Sequence, residues 1–242
     1  MKLQQMLSLV RQAVDDYHMI NDGDCIAVGI SGGKDSVALL RTLAALQRFY
    51  PINFTLKAIT IDLGWEDLDL SPIIDLCKEL NVEYHIEKTE ISQIVFTERK
   101  ESNPCSLCSK LRKGCLNEVI KDMGCNKVAY AHHKDDVVET MLLSLLYEGR
   151  FHTFSPVTQL DKAQVSIIRP LIYVNEKDVY SFVRREGLPV VKSPCPADKH
   201  TKREEMHNLL VDLEHNSHGT KNRMFTAIRD SGINGWKVEK QV

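Results

Sequence analysis

The chain has 242 residues, 43% apolar and 26% charged, with a formal net charge of -2. That length allows one sizeable α/β domain or one domain with a small appendage, and the near-neutral charge excludes a globally basic nucleic-acid binder. The apolar runs are too short to span a bilayer and Met1-Lys2-Leu3-Gln4-Gln5 lacks a secretory apolar segment, so no membrane partner and a cytoplasmic location are expected.

The apolar pattern alternates strand-like and helix-like segments, as in a mostly parallel sheet flanked by helices. Leu3 to Met19 reads as an amphipathic helix, stopped near Asn21-Asp22-Gly23. Cys25 to Ile30 is a buried-type strand, and Val37 to Phe49 a helix apolar on most faces. Phe54 to Ile61 is a second strand ending at Asp62-Leu63-Gly64-Trp65. Pro72 to Leu80 follows as a helix and Val82 to Ile86 as a third strand. A long helix is expected from Ser106 to Met123, a fourth strand over Lys127 to Ala131, and a helix from Asp135 to Tyr147. Ser166 to Ile168 is the fifth strand, and Glu176 to Glu186 a helix ended by Gly187 and Pro189. After Pro194-Cys195-Pro196 come two polar helices, Lys202 to Glu214 and Lys221 to Arg229. The expected organisation is therefore a domain over 1–190 and a Cys-containing loop with helices over 191–242, packed on it.

Between the first strand and its helix lies Ser31-Gly32-Gly33-Lys34-Asp35-Ser36. Glycines let the backbone approach a phosphate closely, the helix N-terminus offers N–H groups, and Lys34 supplies a countercharge. The loop is no Walker A motif: from Gly29 only three residues precede Gly33-Lys34, and Asp35 follows the lysine. Ser-Gly-Gly-Lys-Asp-Ser instead matches the signature of the N-type ATP pyrophosphatases, whose members release pyrophosphate. Ser31, Gly32, Gly33, Lys34, Asp35 and Ser36 are thus the candidate ATP-binding loop. Asp62, His132 and Asp136 join them, because loops at the carboxyl ends of parallel strands face the ligand. His132-His133-Lys134-Asp135-Asp136 also opens a helix, where aspartates ordinarily serve as caps.

Seven cysteines in a reducing compartment suggest metal or thiol chemistry rather than a disulfide framework. Cys105 and Cys108 form a C-x-x-C at a helix start, with Lys110, Arg112 and Lys113 close by. Such a pair serves equally as a redox couple, half a zinc site or half an iron–sulfur site. Cys195 is presented between two prolines, Cys25 and Cys77 read as core residues, Cys125 as incidental and Cys115 as a spare.

Ser31–Ser36, the run Cys105-Ser106-Leu107-Cys108-Ser109-Lys110-Leu111-Arg112-Lys113-Gly114, His132–Asp136 and Ile168-Arg169-Pro170-Leu171 together resemble the tRNA 2-thiocytidine synthetase family of thiolation enzymes. The resemblance covers roughly residues 20–200 and implies a Rossmann-like α/β fold with five parallel strands and flanking helices. It further implies that Cys105, Cys108 and Cys195 hold a [4Fe-4S] cluster with one iron open to sulfide. ATP with Mg²⁺ would adenylate the 2-carbonyl oxygen of a tRNA cytidine, and sulfur from a sulfide or persulfide donor would then displace AMP. Lys34 would balance phosphate charge, Arg112 orient sulfur or phosphate, and Asp136 handle the metal or a proton. The best-known members carry a second C-x-x-C, where this chain has Cys195-Pro196-Ala197-Asp198. Asp198 is therefore expected either beside the fourth iron or capping the next helix. Arg99, Lys100, Lys110, Arg112, Lys113, Arg184 and Arg185 are candidates for tracking tRNA phosphates, and a homodimer would offer a second RNA-binding surface. The alternatives are an amidating or lysidine-forming ATP pyrophosphatase, a persulfide carrier without a cluster, and a nucleotide sensor with structural zinc.

Overall fold

The structure is a computed structural model that describes residues 1–99, 104–160, 165–196 and 202–236. Strands β1 (Asp24–Gly29), β2 (Phe54–Asp62), β3 (Glu83–Lys88), β4 (Lys127–Ala129), β5 (Val157–Leu160) and β6 (Val165–Ile168) form one sheet in the order β3-β2-β1-β4-β6-β5. All pairings are parallel except β5 with β6. Among the described residues the sheet therefore has six strands where five parallel ones were expected, and the addition is an antiparallel edge. Val157-Thr158-Gln159-Leu160 is too short and too polar to stand out as a strand by pattern, and none of its residues is fully buried.

Successive strand residues point to opposite faces, and both faces are covered by helices. Ile26, Val28, Ala58, Ala129 and Ile168 point into the larger core, with α1 (Leu3–Asp16), α2 (Lys34–Gln47), α3 (Ser71–Leu80), α6 (Lys134–Leu143) and α7 (Glu176–Glu186). Ala27, Ile59, Val128 and Ile167 point the other way, onto α4 (Ile91–Gln93), the π-helical turn Ile94–Glu98 that continues it, and α5 (Pro104–Asp122). Sequence pattern missed the α4 segment. A second π-helical turn, Ser144–Glu148, extends α6 before Gly149.

Helices α8 (Lys202–Asn216) and α9 (Thr220–Asp230) pack on α6, burying Met206, Leu210, Phe225 and Ile228 in the larger core. Trp236 completes that layer. It is fully buried, its indole N–H donates to the Phe154 carbonyl at 2.9 Å, and the Tyr17 and Phe225 rings meet it edge-on. No described helix is long and apolar enough to cross a membrane.

Candidate functional site

The strand order reverses at β1: β2 lies on one side and β4 on the other. A crevice opens at the carboxyl ends of these strands, where doubly wound sheets bind ligands. The loop Gly29–Lys34 lies at one wall and the turn after β4 at the other.

The loop is fastened by its own atoms. The Ser36 hydroxyl donates to the Gly33 carbonyl at 2.8 Å and accepts from the Ser31 N–H at 3.3 Å. Ser31 Oγ lies 3.3 Å from both Ser36 Oγ and the Gly33 N–H. Gly32 has φ +83°, and its carbonyl accepts from the Val191 N–H at 2.9 Å. Helix α2 then begins without a side-chain cap, which leaves its first N–H groups for an anion.

Lys34 Nζ sits 3.0 Å from carboxylate oxygens of both Asp35 and Glu176. Burial pulls its pKa down, but these two anions outweigh burial and leave it above the ordinary lysine value. Glu176 opens α7, and its N–H donates to Asp135 Oδ2 at 2.7 Å. Asp135 is buried and also accepts from Lys221 Nζ of α9. Burial would raise its pKa, yet Lys221 and the Glu176 N–H hold it below the usual carboxylate range. Asp135 is thus a structural tie between α6, α7 and α9.

Asp136 combines two duties. Oδ2 accepts from the His133 N–H at 2.8 Å, while the Asp136 N–H donates to His133 Nδ1 at 3.4 Å, a reciprocal cap at the start of α6. Oδ1 faces Arg203 Nη1 of α8 at 3.8 Å. His133 Nε2 in turn lies 3.9 Å from Asp35, so the two motifs meet across the crevice.

His132 packs against the Phe154 ring at 4.7 Å and accepts from Arg169 Nε at 3.3 Å through Nδ1. Burial, together with the Arg169 and Arg203 charges and against the pull of Asp136, brings its pKa down to about 4. It is a neutral imidazole at neutral pH. Arg169 is itself buried, with Nη1 donating to the Ser155 carbonyl at 2.6 Å and to Thr158 Oγ1 at 3.0 Å. Asp62 ends β2 at the same sheet edge, where its Oδ1 accepts from the Gly64 N–H at 2.9 Å.

Cys105 lies exposed on the first turn of α5, with Cys108 half-buried one turn later and Cys195 half-buried in the segment after α7. Burial raises the Cys108 thiol, Arg112 opposes that, and Cys195 and Cys105 both add to the rise. Cys108 therefore feels the charges of Cys105, Cys195 and Arg112. Among the described residues, no three His, Cys, Asp or Glu side chains are already gathered at metal-ligand spacing. Asp198 and Lys100 lie outside the described residues. Lys110 and Lys113 are exposed on α5, and Arg184 and Arg185 on the last turn of α7.

Cys77 is buried as expected. Cys25 and Cys125 instead meet each other, Sγ to Sγ at 3.0 Å, at the opposite end of the sheet from the crevice. Sequence pattern also missed Glu176, Glu139, Arg203, His207 and Lys221, whose charges read as ordinary solvated helix faces.

The PP-loop domain family matches residues 3–214 of the chain. A protein of Geobacter sulfurreducens named tRNA-cytidine(32) 2-sulfurtransferase is 36% identical over 94% of this chain and 90% of its own length. Proteins of the same name from Pelobacter propionicus and Cupriavidus necator are 38% and 34% identical, over 90% and 93% of this chain and 82% and 73% of their own. Among solved structures, the U34-tRNA thiolase NcsA from Methanococcus maripaludis with its [4Fe-4S] cluster superposes with a TM-score of 0.74 at 24% identity. It covers 93% of this chain and 77% of that one, and shares the fold. With the phosphate loop at the strand-order reversal, and with relatives this similar over nearly the whole chain, the protein belongs to the PP-loop family that includes the tRNA-cytidine(32) 2-sulfurtransferases.

Proposed function

We propose that the protein is an ATP-dependent tRNA sulfurtransferase that exchanges the 2-carbonyl oxygen of a cytidine for sulfur. The observation that carries this is 34–38% identity, over most of both chains, to enzymes named for that reaction, joined to an uncapped phosphate loop.

In the first half-reaction the cytosine oxygen attacks the α-phosphate, the bond to the β-phosphate breaks, and pyrophosphate leaves. The N–H groups of α2 and the Lys34 ammonium face the charge that builds on the departing group. Mg²⁺ would be held at Asp136, whose Oδ1 is turned away from its capping partner, with Asp35 across the crevice. Asp62 at the end of β2 and the neutral His132 ring line the remainder of the nucleotide site. In the second half-reaction sulfur bonds to C2 and the adenylated oxygen departs with AMP.

The residues suited to a cluster are Cys105, Cys108 and Cys195, three soft thiols from α5 and the segment after α7. When bound there, a [4Fe-4S] cluster supplies an iron without a protein thiolate, at which sulfide is carried. Arg112, one turn beyond Cys108, orients an anionic sulfur or phosphate group from the same helix face.

The test is product analysis with anaerobically reconstituted protein, ATP, Mg²⁺, sulfide and unmodified tRNA, with and without Lys34→Ala. AMP, pyrophosphate and 2-thiocytidine should appear together, and the variant should lose most turnover while keeping its unfolding midpoint. ADP and phosphate as the coupled products would overturn the reading. A nucleoside in which nitrogen rather than sulfur has replaced the 2-carbonyl oxygen would favour the amidating or lysidine-forming alternative.

A further inference from the structure

The tail helix α8 turns one face toward the crevice. Arg203 and His207 stand one helical turn apart on that face. Arg203 Nη2 donates to Thr140 Oγ1 of α6 at 3.3 Å, and Nη1 is 3.8 Å from Asp136 Oδ1. His207 Nδ1 lies 2.9 Å from buried Glu139 and 3.9 Å from Glu176 Oε2, whose other oxygen holds Lys34. A run of side chains thus joins the tail to the phosphate loop.

Charge balance singles out Arg203. Lys34, the cation of the loop itself, already faces two carboxylates, and Lys221 is committed to buried Asp135. Arg203 is different: its side chain is 48% exposed, its contact with Asp136 is long, and the guanidinium has a geometry matched to phosphate. Its charge also reaches the site, since it adds to the fall of the His132 pKa and opposes the burial that raises Glu139. A nucleoside triphosphate adds several negative charges to a crevice lined by Asp35, Asp136 and Glu176. A Mg²⁺ ion at Asp136 would also compete for the carboxylate that Arg203 faces.

We propose that Arg203 is a phosphate-binding residue of the nucleotide site, delivered by α8 and released from Asp136 to the phosphate oxygens when the nucleotide binds. His207 sets the reach by pinning the next turn of α8 to Glu139. The inference rests on the reading that the loop binds ATP.

Calorimetric titration of the full chain with ATP, inorganic pyrophosphate and adenosine tests it, for wild type, Arg203→Gln and Arg203→Lys. Arg203→Gln should bind ATP and pyrophosphate about tenfold more weakly, the loss of one charge-assisted contact, with adenosine affinity and unfolding midpoint unchanged. Arg203→Lys should recover part of the loss. Unchanged ATP affinity in Arg203→Gln overturns the assignment, and so does an equal loss for adenosine, which would mark a structural role. If the wild-type chain binds neither ATP nor pyrophosphate, the nucleotide reading itself fails and Arg203 falls with it.

Discussion

A methyl group on Gly32 would stand 3.0 Å from Val191 Cβ, on a backbone with φ +83° that side chains of L-residues avoid. Gly32→Ala should therefore cost roughly 1–2 kcal/mol from the left-handed backbone alone. It should also weaken ATP binding, because the loop must leave Val191 to relieve the contact; urea unfolding and nucleotide titration measure the two effects separately. His132 gives a pH dependence. Its native pKa of about 4 lies below the ordinary 6.5, so the unfolded chain binds the proton more readily. Its stabilising contribution is complete above pH 6.5 and is lost as pH falls toward 4, a loss on the order of 3 kcal/mol. His132→Gln, whose amide oxygen can still accept from Arg169, should show a shallower decline over that window in denaturation curves taken at successive pH values. Equal slopes for the two proteins would show that other groups carry the dependence.

At the scale of elements, the tail is bound to the domain by both charge and apolar packing. Trp236 is fully buried and donates to the carbonyl of Phe154, the residue whose ring stacks on His132. Trp236→Ala should cost about 3–5 kcal/mol. It should also loosen the Phe154–His132 contact, visible as a rise in the His132 pKa by NMR titration; a stable variant with unaltered His132 would uncouple the tail from the site. What the sequence made legible divides along the same line. The phosphate loop is contiguous, so Ser31 to Ser36 could be read as a turn between a strand and a helix, which is where the structure has it. The His-His-Lys-Asp-Asp run could likewise be placed at a strand-to-helix turn, where the structure has Asp136 capping α6. Arg203, His207, Glu139, Glu176 and Lys221 lie on four helices, and only tertiary packing brings them together. On a polar helix such residues carry no pattern that separates a partner of the site from a solvated face. The β5 edge escaped for a related reason: its partner β6, rather than its own four residues, makes it a strand.

For the whole molecule, the cysteines divide by position. Cys108 feels the charges of both Cys105 and Cys195, while Cys25 and Cys125 meet at the far end of the sheet and Cys77 is buried. Anaerobic protein should be brown and hold about four irons per chain, as a single cubane cluster requires. Cys105→Ala, Cys108→Ala and Cys195→Ala should each abolish the colour and the iron, whereas Cys77→Ala and Cys25→Ala should keep both. Stoichiometric zinc without iron after anaerobic reconstitution would instead support the structural-metal alternative.

The bond between Asp135 and Lys221 also bears on the order in which a ribosome makes the protein. The two residues are 86 positions apart, so translation needs on the order of ten seconds to deliver the lysine after the aspartate. During that interval the nascent chain has its phosphate loop and its His-Asp turn, but Arg203 arrives only toward the end and Lys221 not until it closes. The Asp135 carboxylate, buried in the finished protein, is then without its ammonium partner. Burying a charge that keeps only the Glu176 N–H as partner is costly, so the start of α6 and the first turn of α7 are less stable until α9 has emerged. The growing polypeptide therefore completes the surroundings of Asp135 only once α9 has been made.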